Sequence, residues 1–261
     1  MTSRTGGMIA AWGTAYLQGH VSLEPAIDHV VGDRTSMVRQ SYTLGPAGNP
    51  WDEPPPPDVE IVAQGEAITF GELLQRLRQR GIARLHAAFP LPGNSDGIGP
   101  GPGQAAAYES GSAAGIEELR LVVTEDESTE DALGLAVYTN PTRTHYVSVS
   151  EAQLELTEAL QHATSLLSDL DVASWNSSLR ARTGRVLREA SQDVLPAVCP
   201  SRASHLLLRA EQVGSVLDLS ADDPAGGAVT GHEARGRDAA LAPLRRHVAR
   251  ALAAAYNSVP Y

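Results

Sequence analysis

The sequence has 261 residues, a formal charge of −11 at pH 7, 42% hydrophobic and 20% charged residues, and one cysteine. A chain of this length buries about 70–75% of the surface its unfolded form exposes, so it is expected to fold without disulfide staples, as one domain or two. Its basic residues are all arginine, which excludes the P-loop, Schiff-base and kinase ion-pair lysines, and its acidic balance opposes binding to a phosphate backbone.

In chain order, Ile9, Trp12, Ala15 and Tyr16 recur at helical spacing, which predicts a helix over Gly7 to Gln18 with Gly19 as its stop. Ser22 reads as the N-cap of a second short helix that ends at Gly32. Alternation over Thr35 to Leu44 predicts a strand. Gly45 to Pro57 contains four consecutive prolines and reads as a loop or polyproline spacer, because proline has no amide to donate. Asp58 to Ala63 is a candidate strand. Thr69-x-x-Glu72 is a capping box ahead of Leu73, Leu74 and Leu77, and Ile82 to Phe89 follows as a strand after Gly81. Pro90 to Gly103 is rich in glycine and proline, and Gln104 to Ser110 reads as a short helix. Leu119 to Val123 and Leu133 to Tyr138 are expected to form a hairpin with the acidic tip Glu125 to Asp131.

From Ser148 onward the pattern is helix after helix. Ser148-x-x-Glu151 is a second capping box, and Leu156, Leu160, Ala163, Leu167 and Leu170 carry an apolar stripe. Further helices are expected around Leu179 to Ala190, from Ser201 through Leu217, and from Thr230 to about Tyr256, with Pro243 kinking or splitting the last. The fold class is therefore α+β: a mixed or antiparallel sheet with helices over residues 1–147, then a bundle of four or five helices over 148–261, the two packing as one unit or standing as two domains.

Several motifs touch on chemistry. Gly93-Asn94-Ser95-Asp96-Gly97 matches G-x-S-x-G, but the glycines and prolines that follow oppose the helix a nucleophile elbow requires. Gly101 to Ala106 matches a loose dinucleotide pattern, yet it lies a dozen residues beyond Phe89 and its prolines remove amide donors. The eight histidines show no metal-ligand spacing, and the acidic tip lacks the spacing of a calcium loop. Cys199 lies between Val198 and Pro200 and reads as a gap filler between helices. Arginines 180, 182, 185 and 188, and again 235, 237, 245, 246 and 250, are expected to pair with carboxylates. No catalytic residue, metal ligand or cofactor site is assigned.

Ala11-Trp12 with Gly19, Leu91-Pro92-Gly93 with Gly97-Ile98, Gly103 to Gly111, Gly226 to Thr230, Arg237 to Leu241 and Ala255-Tyr256-Asn257 together resemble a family of uncharacterised actinobacterial proteins. The resemblance spans most of the chain and implies a cytosolic protein from a GC-rich bacterium, with no catalytic residue to carry over. Those relatives place Asp near position 94 and lack the G-x-S-x-G match, which tells further against a hydrolase.

No apolar run is long enough for a membrane span and no stretch has the form of a signal peptide, so the chain is expected to be cytoplasmic. The leading functional expectation is a non-catalytic binding or protein-interaction protein, with a protein partner or a second copy of the chain and without nucleic acid or membrane. The alternative is an enzyme or sensor for a small metabolite. In either case Pro90 to Gly111 is the candidate wall of the pocket, because alternating glycines cost entropy to order and admit a close approach. The candidate ligand-binding residues are Asp96, Gly97, Gly99, Gly101, Gly103, Gln104, Tyr108 and Glu109, with His86 facing the same space.

Overall fold

A computed structural model describes residues 4–41, 61–143, 145–169, 194–222 and 231–261. The described backbone falls into two compact units. One contains the residues up to 146 together with 194–200 and 256–261, and the other contains the helical segments from 147 onward and 201–255.

The first unit is built on a six-stranded mixed sheet. Helix α1 (Thr5–Leu17) is apolar on nearly every side and is correspondingly buried along its length. Helix α2 (Leu23–Val31) begins after Ser22 and stops at Gly32, whose φ of 65° suits glycine. Strand β1 (Thr35–Gln40) pairs antiparallel with β2 (Ala67–Ile68) and parallel with β6 (Ala132–Thr139), with Val38 opposite Leu135. Helix α3 (Phe70–Gln79) carries the expected capping box: Thr69 accepts from the Glu72 amide, and Glu72 accepts from the Thr69 amide at 2.7 Å. Strands β3 (His86–Ala88), β4 (Ala113–Ile116) and β5 (Leu121–Glu125) complete the order β2-β1-β6-β5-β4-β3. Helix α4 (Pro102–Ser110) lies between β3 and β4 in sequence.

Paired residues of neighbouring strands point to the same side of a sheet, so the register sorts the two faces. Val38, Ile68, Leu133, Leu135, Val137, Val123, Leu121 and Ile116 share the face packed by α1 and α3. On the opposite face Ala88, Ala113 and Val122 form a buried cluster with Ile98 and Ala107 of the glycine-rich loop and α4. The small side chains of Ala88 and Ala113 let the loop and α4 lie close there.

Three local expectations are corrected. Residues 61–63 are not in a strand: the Arg76 guanidinium donates to the Ile61 carbonyl at 2.9 Å, and the Glu66 carboxylate accepts from the Ala63 amide at 2.9 Å, so side chains replace a neighbouring strand. The strand expected over Ile82 to Phe89 shortens to His86–Ala88. Helix α4 starts at Pro102, two residues earlier than expected, with proline in the first turn where no amide is needed. Strand β4 adds an element the sequence pattern did not suggest. The proline-rich segment, Tyr42 to Leu44 and Asp58 to Glu60 lie outside the described residues.

Arg76 and Glu66 form a two-pronged pair, 2.8 and 2.6 Å, between side chains about one-third exposed. The hydrogen bonds from Arg76 and from the Ala63 amide hold the Glu66 carboxyl down at about 2, against an ordinary 4.5. Because the folded value lies below the unfolded one, the pair's contribution is complete above about pH 4.5 and is lost as pH falls through about 2. NMR titration is expected to give a Glu66 midpoint near 2 that moves back toward 4.5 in Arg76→Ala. A midpoint near 4.5 in the unaltered chain would refute the pairing.

In the second unit, helix α5 (Val149–Asp169) is capped by the Ser148 hydroxyl, which accepts from the Glu151 amide at 3.1 Å. Helix α6 (Ser201–Asp222) packs on α5, and α7 (Gly231–Tyr256) runs without interruption through Pro243. Leu156, Leu206, Leu207, Ala210, Leu217, Leu244, Val248 and Leu252 are buried. Arg245 pairs with Asp218 at 3.5 Å and Arg250 with Glu155 at 3.1 Å, so these two arginines have carboxylate partners. Three helices stand among the described residues of this unit. The helix expected around Leu179 to Ala190, the arginines from 180 to 188 and the Thr230 cap lie outside them. The chain is thus α+β, with a mixed sheet and helices followed by further helices.

Candidate functional site: the glycine-proline loop

The segment from Pro90 to Gly111 begins with a tight turn. The Leu91 and Asn94 amides donate to each other's carbonyls at 2.8 and 2.7 Å, around Pro92 and a Gly93 at φ +81°. Proline followed by a positive-φ glycine is the combination a type II turn requires. Beyond Ser95 the backbone extends alongside residues 141–143. The Arg143 amide donates to the Gly97 carbonyl at 2.8 Å, the Gly99 amide to the Pro141 carbonyl at 2.7 Å, and Ile98 bridges to Thr142. No helix follows Ser95 until Pro102, so the G-x-S-x-G match does not sit in an elbow.

This approach accounts for the glycines. A Cβ on Gly97 would stand 2.0 Å from the Arg143 carbonyl oxygen, and one on Gly101 2.5 Å from Oδ1 of Asn140. Added Cβ atoms on Gly99 and Gly103 would meet Pro141 and Tyr138 at 3.0 and 2.8 Å. The close neighbour of each is this chain's own strand end.

Asn140 joins these parts. It is completely buried, its Nδ2 donates to the Gly99 carbonyl at 2.7 Å, and its Oδ1 accepts from the Gly103 amide at 2.9 Å. Gly103 lies in the first turn of α4, where amides have no partner within the helix, and Gly101 at the cap has no side chain to serve them. A side chain from the end of β6 therefore caps α4. Nothing in the local sequence marks Asn140, because its partners are 37 and 41 residues away.

The other expected site residues divide into two groups. The Asp96 carboxylate accepts from the Phe89 amide at 2.7 Å, and Gln104 donates to the Ile98 carbonyl at 3.0 Å, so both bind main chain within the loop's own framework. Tyr108 and Glu109 lie on α4 beside buried Ala107, half-buried and exposed respectively. His86 is half-buried on the sheet face that carries Ala88. Burial, then the charge of Arg84, lowers its pKa and keeps it neutral at pH 7.

Sequence reasoning also missed Tyr138. It is buried on the loop-bearing face, and burial raises its phenol pKa, with Asp126 and Glu109 adding to the rise and a hydrogen bond with Ser41 opposing it. Cys199 is buried, and burial raises its thiol pKa, so it is not a thiolate at neutral pH. Among the described residues, no group of three His, Cys, Asp or Glu could hold a metal ion, and no helix is long and apolar enough to cross a membrane.

Residues 7–148 match the N-terminal domain of the Rv1486c-like proteins, and residues 150–253 match their C-terminal domain. The chain belongs to the Rv1486c-like family. This bears out the resemblance drawn from the sequence, since the family is uncharacterised and takes its name from a mycobacterial open reading frame. No curated protein and no solved structure matches the chain. In Rv1486c-like terms, the loop, Asn140 and Tyr138 all lie within the N-terminal domain.

Proposed function

We propose that this Rv1486c-like protein is a non-catalytic binding or protein-interaction protein of the cytoplasm, and that Pro90 to Gly111 walls its site. One observation carries the reading: Asp96 and Gln104, together with Asn140 behind them, bind main chain, while Tyr108 and Glu109 stand at the surface of a braced helix. Such an arrangement presents contacts on a rigid support, and its buried polar side chains are committed to main chain. Asp96, Gly97, Gly99, Gly101, Gly103 and Gln104 shape the wall in this reading, and Tyr108 and Glu109 meet the partner. The −11 charge disfavours nucleic acid, and the single buried cysteine fits a reducing compartment. The proposed division of labour at 147/148 gives partner binding to the sheet-bearing part.

The second reading, an enzyme or sensor for a small metabolite, draws on Tyr138, a buried titratable phenol beside Glu109 and Asp126. Affinity capture from a native lysate and thermal shift against a metabolite library separate the two. A stoichiometric protein partner whose retention falls at least about tenfold, roughly 1.4 kcal/mol, in Tyr108→Ala or Glu109→Gln without a change in melting temperature supports the first. Retention unaffected by both variants removes the loop from the site. A metabolite-induced shift abolished in Tyr138→Phe favours the second.

A further inference from the structure

A short segment from far along the chain closes the sheet-bearing unit. Tyr256–Tyr261 belongs to that unit, although it follows the body of α7 and lies beyond both stretches that match the family. Tyr256 is buried and stacks on Phe89 with ring centroids 5.8 Å apart. Gly7 of α1 leaves room for the Tyr256 ring, since a Cβ there would stand 2.5 Å from it. Asn257 accepts from the Ala87 amide at 2.8 Å and donates to the Ala87 carbonyl at 3.1 Å, and Val259 is buried.

Phe89 joins this segment to the glycine-proline loop. Its ring rests on Tyr256, and its amide donates to Asp96, which follows the turn closed by Leu91 and Asn94. Losing the Tyr256 ring frees Phe89 to shift, and a shift of Phe89 strains the bond that ties the start of the loop to β3.

We propose that Tyr256–Tyr261 is a releasable strap, and that its release loosens the start of the loop at Phe89 while the central strands stay folded. The motive is the way the strap is held. Its anchor, Arg84, is a cation only 7% exposed that forms no ion pair among the described residues. The guanidinium donates to the Asn257 and Val259 carbonyls at 3.4 and 2.7 Å, and its Nε is buried without a hydrogen-bond partner. A buried charge served only by carbonyls carries a desolvation cost that undocking relieves, so the strap is held less firmly than an apolar closure of the same size. Its far end is open to solvent: the Tyr261 ring, centred 3.9 Å from Cζ of Arg84, is 94% exposed. Segments held in this way open by themselves, at a free energy below that of global unfolding. Regulation of the loop site by the strap rests on the binding role proposed above, whereas exchange in the unbound chain tests the strap itself, so the two can fail separately.

Amide hydrogen exchange on the full chain, read by NMR, provides the test. In the unaltered chain the Ala87, Phe89 and Leu91 amides are expected to share one opening constant, at least about tenfold larger than that of the slowest amides of β5 and β6. Val259→Ala, which removes buried methyl groups from the strap alone, is expected to raise that constant at least about tenfold for all three. Three amides that open only together with β5 and β6 in the unaltered chain overturn the proposal. So does a variant in which Ala87 opens faster while Phe89 and Leu91 do not, or in which none of the three changes. Should Val259→Ala fail to fold, Val259→Thr, which keeps the shape but buries a hydroxyl, replaces it under the same criteria.

Discussion

Replacing Asn140 with alanine is expected to lower stability by about 3–4 kcal/mol, since it leaves one buried and one part-buried main-chain group without partners at about 1–3 kcal/mol each. Those groups are the Gly99 carbonyl and the Gly103 amide, which Asn140 holds at 2.7 and 2.9 Å from a completely buried position. For a chain of this size the loss corresponds to a fall of roughly 6–16 °C in melting temperature. Asn140→Asp tests the mechanism. It keeps an acceptor for the first turn of α4, where negative charge is favourable, but has no donor for Gly99, so its loss is expected to be smaller. Urea denaturation gives both values. A change below about 0.5 kcal/mol in Asn140→Ala, the range of an inconsequential surface substitution, would show that Asn140 does not brace the loop.

The second large effect is expected at Gly97. Its φ is +85°, and an added Cβ would lie 2.0 Å from the Arg143 carbonyl oxygen. Left-handed backbone costs an alanine about 1–2 kcal/mol, and the clash also displaces the main-chain bonds that join 97–99 to 141–143, at about 1 kcal/mol each. Gly97→Ala is therefore expected to cost about 3 kcal/mol. Gly93→Ala separates the two contributions: its φ is +81°, but an added Cβ meets nothing within 4 Å, so only the backbone cost of about 1–2 kcal/mol remains. Equal losses at the two positions would mean that the close approach to Arg143 has no energetic consequence. Together with Asn140→Ala, these variants measure how firmly the loop is held, which the proposed binding role requires.

Much of the fold was legible because its signals are local. The helical spacing of Ile9, Trp12 and Tyr16, the Thr69-Glu72 and Ser148-Glu151 caps, and the acidic turn joining β5 to β6 each depend on residues a few positions apart, and the structure contains each feature. Strand β4 was missed because Ala113, Ala114 and Gly115 carry no strand propensity, and Ala113 and Ala114 are buried there by packing between β3 and β5. Strand β3 is short because β4 stands opposite it only from Ala113 to Gly115.

From the residues alone follow the α+β class, the exclusion of lysine-dependent chemistries, the caps and stops of several helices, and the family. They also single out the glycine-proline loop, because alternating glycines are visible without any partner. Folding reveals what those glycines approach, that β1 runs parallel to β6, that Asn140 caps α4, and that Asn257 bonds to Ala87 at the edge of β3. The physical reason is range. A helix cap is satisfied three residues away, whereas main-chain groups of the loop and the edge find their partners 37, 41 and 170 residues away, where no local pattern records them.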